Sequence, residues 1–146
     1  LYHCGGAFGV HLSVGQKAPP PSGRKSSMNT KQVGDWGEAA AASFLASRRY
    51  VIKARQFRCP MGEIDLIVER DGVLVFVEVK TRQSLRYGYP AAAVDFRKQQ
   101  KIIRTATWYL NEHPPADRPC RFDVLEVYGA AEGSCRIRHY ENAFEA

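Results

Sequence analysis

Two short runs, Gly62-Glu63-Ile64-Asp65 and Val77-Glu78-Val79-Lys80, set three carboxylates and an ammonium group at spacings that hydrolytic chemistry could use. They flank Asp71-Gly72, the dipeptide that most strongly marks a two-residue hairpin turn between strands rich in Val and Ile. With Arg70 opposite Val73, the register puts Asp65 opposite Glu78 and Glu63 opposite Lys80. Cross-strand partners share a face, with Cβ atoms about 5 Å apart, so the four charged groups meet on one side of the hairpin. The other side carries Ile64, Leu66 and Val68 against Val79, Val77 and Val75, and it is expected to be buried.

Carboxylates held that close repel one another, and the repulsion is relieved by protonation, by a basic neighbour or by a metal ion. Lys80 can neutralise one charge. Mg²⁺ suits the rest, because it takes oxygen ligands, commonly one or two carboxylates with waters and substrate phosphate. The competing reading is a structural ion pair on a solvated sheet face, which is what most Glu-x-Lys pairs on strands are. The matching register of Asp65 favours the chemical reading.

The elements that must position these groups can be read on either side. A helix is expected from Asn29 to Arg48, with Asn29 or Thr30 as cap and Trp36, Ala40, Phe44 and Ser47 as its apolar stripe. Glu38 lies off the centre of that stripe and reads as a solvated carboxylate. A basic first strand runs from Tyr50 to Phe57. Beyond Lys80, Gly88 and Tyr89-Pro90 mark a loop whose Arg82, Arg86 and Tyr87 either contact substrate or merely connect. A second helix is expected from Val94 to Glu112, with Asp95 at its positive end and Pro114-Pro115 beyond its close. Its stripe is Phe96, Gln99 or Gln100, Ile103, Ala106 and Leu110. Arg97, Lys98, Lys101 and Arg104 cluster beside it, a phosphate-backbone contact or a solvated face. Strands follow at Arg121 to Tyr128 and Arg136 to Tyr140, and neither His113 nor His139 has a partner at useful spacing.

At 146 residues and 45% apolar content the chain has room for one globular domain. Its net charge of +6 favours a polyanionic partner. Cys4, Cys59, Cys120 and Cys135 form neither a zinc spacing nor a disulfide framework, and free thiols point to a reducing, cytoplasmic setting. No apolar run approaches the roughly 18 residues of a membrane span, so no membrane partner is expected. Residues 1–27, with Pro19-Pro20-Pro21 and a polar cluster, read as a disordered or foreign extension, and residues 28–146 as the domain.

The order helix, three strands, helix, strand, together with Gly34-Asp35-Trp36-Gly37-Glu38, Gly62-Glu63-Ile64-Asp65-Leu66-Ile67, Val77-Glu78-Val79-Lys80-Thr81-Arg82, Gly88, Pro90 and Lys98-Gln99, resembles the PD-(D/E)XK nuclease superfamily. Within it the chain looks most like the YraN-like group, distantly related to archaeal Holliday-junction resolvases. Ile64 stands where the motif's name has proline. The resemblance implies an α/β, restriction-endonuclease-like core with a mixed central sheet flanked by helices. It also implies a phosphodiesterase site in which Asp65, Glu78 and the Val79 carbonyl hold Mg²⁺ or Mn²⁺, and Glu38 completes the cluster. Lys80 would activate the attacking water, with Lys98 and Gln99 nearby and Glu63 in support. The expected function is a metal-dependent endonuclease on DNA, of branched or structured form, with Arg82, Arg97, Lys101 and Arg104 on the nucleic acid and a homodimer where two strands are cut. A non-catalytic nucleic-acid-binding protein and an RNA-directed nuclease are the alternatives.

Overall fold

The computed structural model describes residues 28–82, 94–129 and 135–146. The expected extension at 1–27, and Arg86, Tyr87, Gly88 and Pro90, lie outside the described residues. The elements run α1 (Thr30–Ser47), β1 (Val51–Cys59), β2 (Gly62–Arg70), β3 (Val73–Arg82), α2 (Phe96–Glu112), β4 (Cys120–Tyr128) and β5 (Arg136–Phe144). One five-stranded sheet follows the order β1-β2-β3-β4-β5. Only β3 and β4 are parallel, and α2 lies in the connection between them. This is the mixed sheet flanked by helices that the sequence leads one to expect, consistent with a restriction-endonuclease-like core.

Local chemistry starts each element. Asn29 caps α1 in a reciprocal box with Gln32, the two backbone N–H groups donating to the partner side chains at 2.9 and 3.0 Å. Asp95 caps α2 by accepting from the Lys98 N–H at 2.8 Å. At the hairpin, Asp71 and Gly72 have φ of 52° and 76°, the pair of left-handed residues that a type I′ turn requires. The resulting register, Arg70↔Val73 through Leu66↔Val77, is the expected one.

Both sides of the sheet are covered, not one. Ala40, Ala41, Phe44 and Leu45 of α1 pack with Leu66, Val68, Val75, Val77, Leu125 and Val127, whereas Ile102, Ala106 and Tyr109 of α2 pack with Ile67, Leu74, Phe76, Phe122 and Val124. The charged side of the hairpin is therefore also a core side, and Ile67, Leu74 and Phe76 occupy it. The stripe of α2 is rotated from the expected one, and Phe96 is 73% exposed. Phe96 precedes Ile102 by about 1.7 turns at 3.6 residues per turn, which points it away from the sheet. At Gly37, α1 lies so near β3 that a Cβ would overlap the Thr81 side chain.

Strands β4 and β5 are fastened by a buried carboxylate. The Asp123 side chain is 0% exposed and accepts hydrogen bonds from Arg121 Nε at 3.0 Å and the Asn142 N–H at 2.9 Å, with His139 Nε2 at 2.7 Å. Burial alone would raise this carboxyl, but the His139, Arg121 and Asn142 bonds together hold it below the usual carboxylate range. His139 thus has a partner after all, reached across the β4–β5 pairing. His113 likewise has one, with Nδ1 against the Tyr109 carbonyl at 2.9 Å and its ring stacked on Tyr109.

Removing one member of a buried ionic cluster strands the others, so Asp123→Ala is expected to cost about 3–5 kcal/mol, read as a lower urea midpoint. Because the folded-state pKa is depressed, the wild-type contribution is present above the unfolded value of about 4 and is lost as pH falls through the lower folded value. A wild-type midpoint in Asp123→Ala would contradict this reading. Gly37→Ala is expected to push α1 from β3 and lower the melting temperature, the overlap costing more than the roughly 0.5–1 kcal/mol that a helix-favouring substitution returns. An unchanged or higher melting temperature would show that α1 does not need the close approach.

Candidate functional site

The charged groups collect where β2 and β3 part. The backbone ladder between these strands reaches Leu66↔Val77 and stops one step short of the expected Asp65–Glu78 pair. There the Val79 N–H donates to Asp65 Oδ2 at 2.8 Å, so a side chain replaces the next backbone acceptor. Ile64 and Leu66, two positions apart, belong to opposite core layers, which requires β2 to rotate about Asp65. The rotation leaves Asp65 reachable from both layers, by Glu38 of α1 and Lys98 of α2.

Electrostatics there are strained. Burial first, and the Glu78 charge second, push the Asp65 carboxyl from its ordinary 3.8 up to about 6, against relief from the Val79 N–H, Lys98 and Glu38. Glu78 is 9% exposed, and Lys98 Nζ stands 3.6 Å from its Oε1. The Glu38 carboxyl is also raised, chiefly by burial and then by Asp65, while the Gln56 amide, donating to Glu38 Oε2 at 2.8 Å, lowers it. Three strands and two helices thus bring Gln56, Asp65, Glu78, Glu38 and Lys98 to one neighbourhood.

Several expected neighbours are elsewhere. Glu63 does not face Lys80: its side chain is 56% exposed and pairs with Arg58 of β1 at 3.3 Å. The physical reason is the end of the β2–β3 ladder, beyond which Glu63 follows β1. Lys80 has no ion pair among the described residues; it stands in register with Glu126 of β4, and Lys98 takes the role of cation beside Glu78. Gln99 uses its amide to bind the Val94 carbonyl at 2.9 Å, securing the start of α2. Arg97, Lys101 and Arg104 are exposed on α2, and Arg82 ends β3. Lys98 and Lys101 border an open groove of about 380 Å³ against Arg58, Met61, Gly62 and Glu63.

Two residues that sequence reasoning passed over matter here. Gln56 carries no charge and sits in a basic strand, and its only available signal was its register position opposite Asp65. Glu126 is fully buried beside Lys80 in register; the Tyr128 hydroxyl donates to its Oε2, and its Oε1 has no partner among the described residues.

As a cation site the donor set is partial but chemically apt. Among the described residues no three His, Cys, Asp or Glu side chains close on one point as a ready cage. Asp65 and Glu78, whose charges repel, nevertheless offer oxygen donors of the kind a hard divalent ion takes, since such an ion keeps several waters and needs few protein ligands. Binding such an ion would relieve the Asp65–Glu78 repulsion directly.

Residues 37–127 match the model of a family described as uncharacterised protein family UPF0102. A UPF0102 protein of Symbiobacterium thermophilum is 50% identical over 117 residues, covering 80% of this chain and 99% of that protein. One from Clostridioides difficile is 41% identical over 117 residues, covering 80% of this chain and 100% of its own length. A third, from Caldanaerobacter subterraneus, is 44% identical over 119 residues, covering 80% of this chain and 98% of its own. With Glu38, Asp65, Glu78, Lys80 and Asp123 all inside the matched segment, the chain belongs to the UPF0102, or YraN-like, family.

Proposed function

We propose that the chain is a Mg²⁺- or Mn²⁺-dependent endonuclease that hydrolyses phosphodiester bonds in DNA of branched or structured form. The observation that carries this reading is the burial of Asp65 close to the Glu78 charge where the β2–β3 ladder ends, with Lys98 Nζ 3.6 Å from Glu78 Oε1. A buried carboxyl raised by its burial and by a second carboxylate charge at a strand junction is the kind of perturbed acid that clusters at functional sites. The bound cation would polarise the phosphoryl oxygen and lower the pKa of a coordinated water.

The remaining steps fall to the chain's own groups. Asp65 and Glu78 hold the ion, with the Val79 carbonyl beside them, and the Val79 N–H fixes the orientation of Asp65. Lys80, two residues beyond Glu78 on the same face of β3, presents its ammonium group to the phosphate and the attacking water, adding positive charge where the transition state gathers negative charge. Arg97, Lys101 and Arg104 on α2, with Arg82, supply contacts to the phosphate backbone, which orient the strand without reading its sequence. A homodimer would let two sites cut two strands. One observation favours a second reading, a nucleic-acid-binding protein without cleavage: the carboxylates do not close into a cage.

End-labelled single-stranded, duplex, flap and four-way-junction DNA, incubated with Mg²⁺, Mn²⁺ or EDTA, separates these. Cleavage that needs the metal and falls by about 10²–10³-fold in Lys80→Ala is expected, with binding retained. Lys80→Ala cutting at the wild-type rate would refute the assignment of Lys80, and salt-sensitive binding without any cutting would favour the second reading.

The same site makes a stability prediction with a definite sign. Asp65 titrates at about 6 in the folded protein against an ordinary 3.8, so the folded state loses stability as pH rises between these values and carries the whole penalty above them. Asp65→Asn keeps an acceptor for the Val79 N–H and removes the charge. It is expected to be more stable than wild type by about 1–3 kcal/mol at neutral and higher pH, the difference vanishing below about pH 4. Equal urea midpoints at every pH would show that the two carboxylates are not in conflict.

A further inference from the structure

Gln56 adopts a backbone conformation that nothing in the packing of β1 requires. Its φ is 47°, the left-handed region that glycine enters freely and Asn or Asp at modest cost. Its side chain is exposed, so no core contact accounts for keeping a strained residue in mid-strand. The β1–β2 partners pass from Arg55↔Leu66 to Phe57↔Ile64, which leaves Gln56 opposite Asp65 and outside the ladder. Left-handed residues of this kind cluster where a site needs a group aimed off the regular strand direction.

At Gln56 the aim is visible. Its Nε2 donates to Glu38 Oε2 at 2.8 Å, joining β1 to α1 across a shallow hollow that Asp35, Ala39, Arg55 and Leu66 also line. Glu38 is anchored from below by Gly37, where α1 closes on Thr81, and from the side by this amide. We infer that Gln56 is a positioning residue whose left-handed backbone and side-chain amide hold the Glu38 carboxylate at the edge of the divalent-cation site of Asp65 and Glu78, outside the set of direct ligands. This rests on the cation reading of Asp65 and Glu78. Glu38 would serve the ion from outside its direct ligands, and Gln56 would act on the ion only through Glu38.

Three full-length proteins test the inference: wild type, Gln56→Gly and Gln56→Asn, each titrated with MnCl₂ by calorimetry at neutral pH and each unfolded in urea without metal. Glycine accepts the left-handed backbone and deletes the amide. Gln56→Gly is therefore expected to be at least as stable as wild type and to bind Mn²⁺ about tenfold or more weakly. Gln56→Asn, which tolerates the same backbone and keeps a shorter amide, is expected to recover part of that affinity. Wild-type Mn²⁺ affinity in Gln56→Gly would overturn the positioning role, and so would an affinity loss matched by a lower urea midpoint, which would mark a structural residue. If wild type itself takes up no Mn²⁺, the cation reading fails and this inference falls with it, an outcome distinct from a bound ion indifferent to Gln56.

Discussion

The structure turns on the repulsion between Asp65 and Glu78. The two lie just past the last paired residues of β2 and β3, and partial burial between two helices reduces the water that would screen two like charges. The protein's response is written into the surrounding elements. The backbone ladder ends one residue early, the Val79 N–H turns to the Asp65 carboxylate, and Lys98 reaches from α2 to Glu78. Asp65 nonetheless stays hard to ionise. A pair of carboxylates that is costly to the empty fold is a pair with something to gain from a cation.

At Asp123 the same chain surrounds a buried charge with partners, which makes the contrast informative. Asp123 is as deeply set as any carboxylate here, yet Arg121, His139 and the Asn142 N–H saturate it, and its carboxyl is held down, not up. A carboxylate satisfied in this way stabilises β4 against β5. Asp65, by contrast, is raised by burial and by the Glu78 charge, so the two acids of one sheet are shifted in opposite directions by their surroundings.

What could be read from the sequence was what neighbouring residues decide. Asp71-Gly72 sets the hairpin and its register, and Asn29 and Asp95 begin the two helices where capping chemistry says they should. The same register places Asp65 opposite Glu78, one step beyond where the observed ladder ends. What could not be read depends on segments distant in the chain. The rotation of β2 about Asp65 sends Glu63 to Arg58 instead of Lys80, and no local pattern announces it. Lys98 reaches Glu78 only because α2 covers the side of the hairpin that looked solvated. Gln56 is uncharged, and its left-handed backbone runs against the strand propensity around it. His139 finds Asp123 across a bulged strand pair.

The central claim is that Asp65 and Glu78 together hold a divalent cation, and it is tested most directly by anomalous diffraction from crystals of the full-length protein equilibrated with Mn²⁺. The account predicts an anomalous peak between the two carboxylates and beside the Val79 carbonyl. Saturating Mn²⁺ with no peak there, or a peak only at other acidic groups, would contradict it.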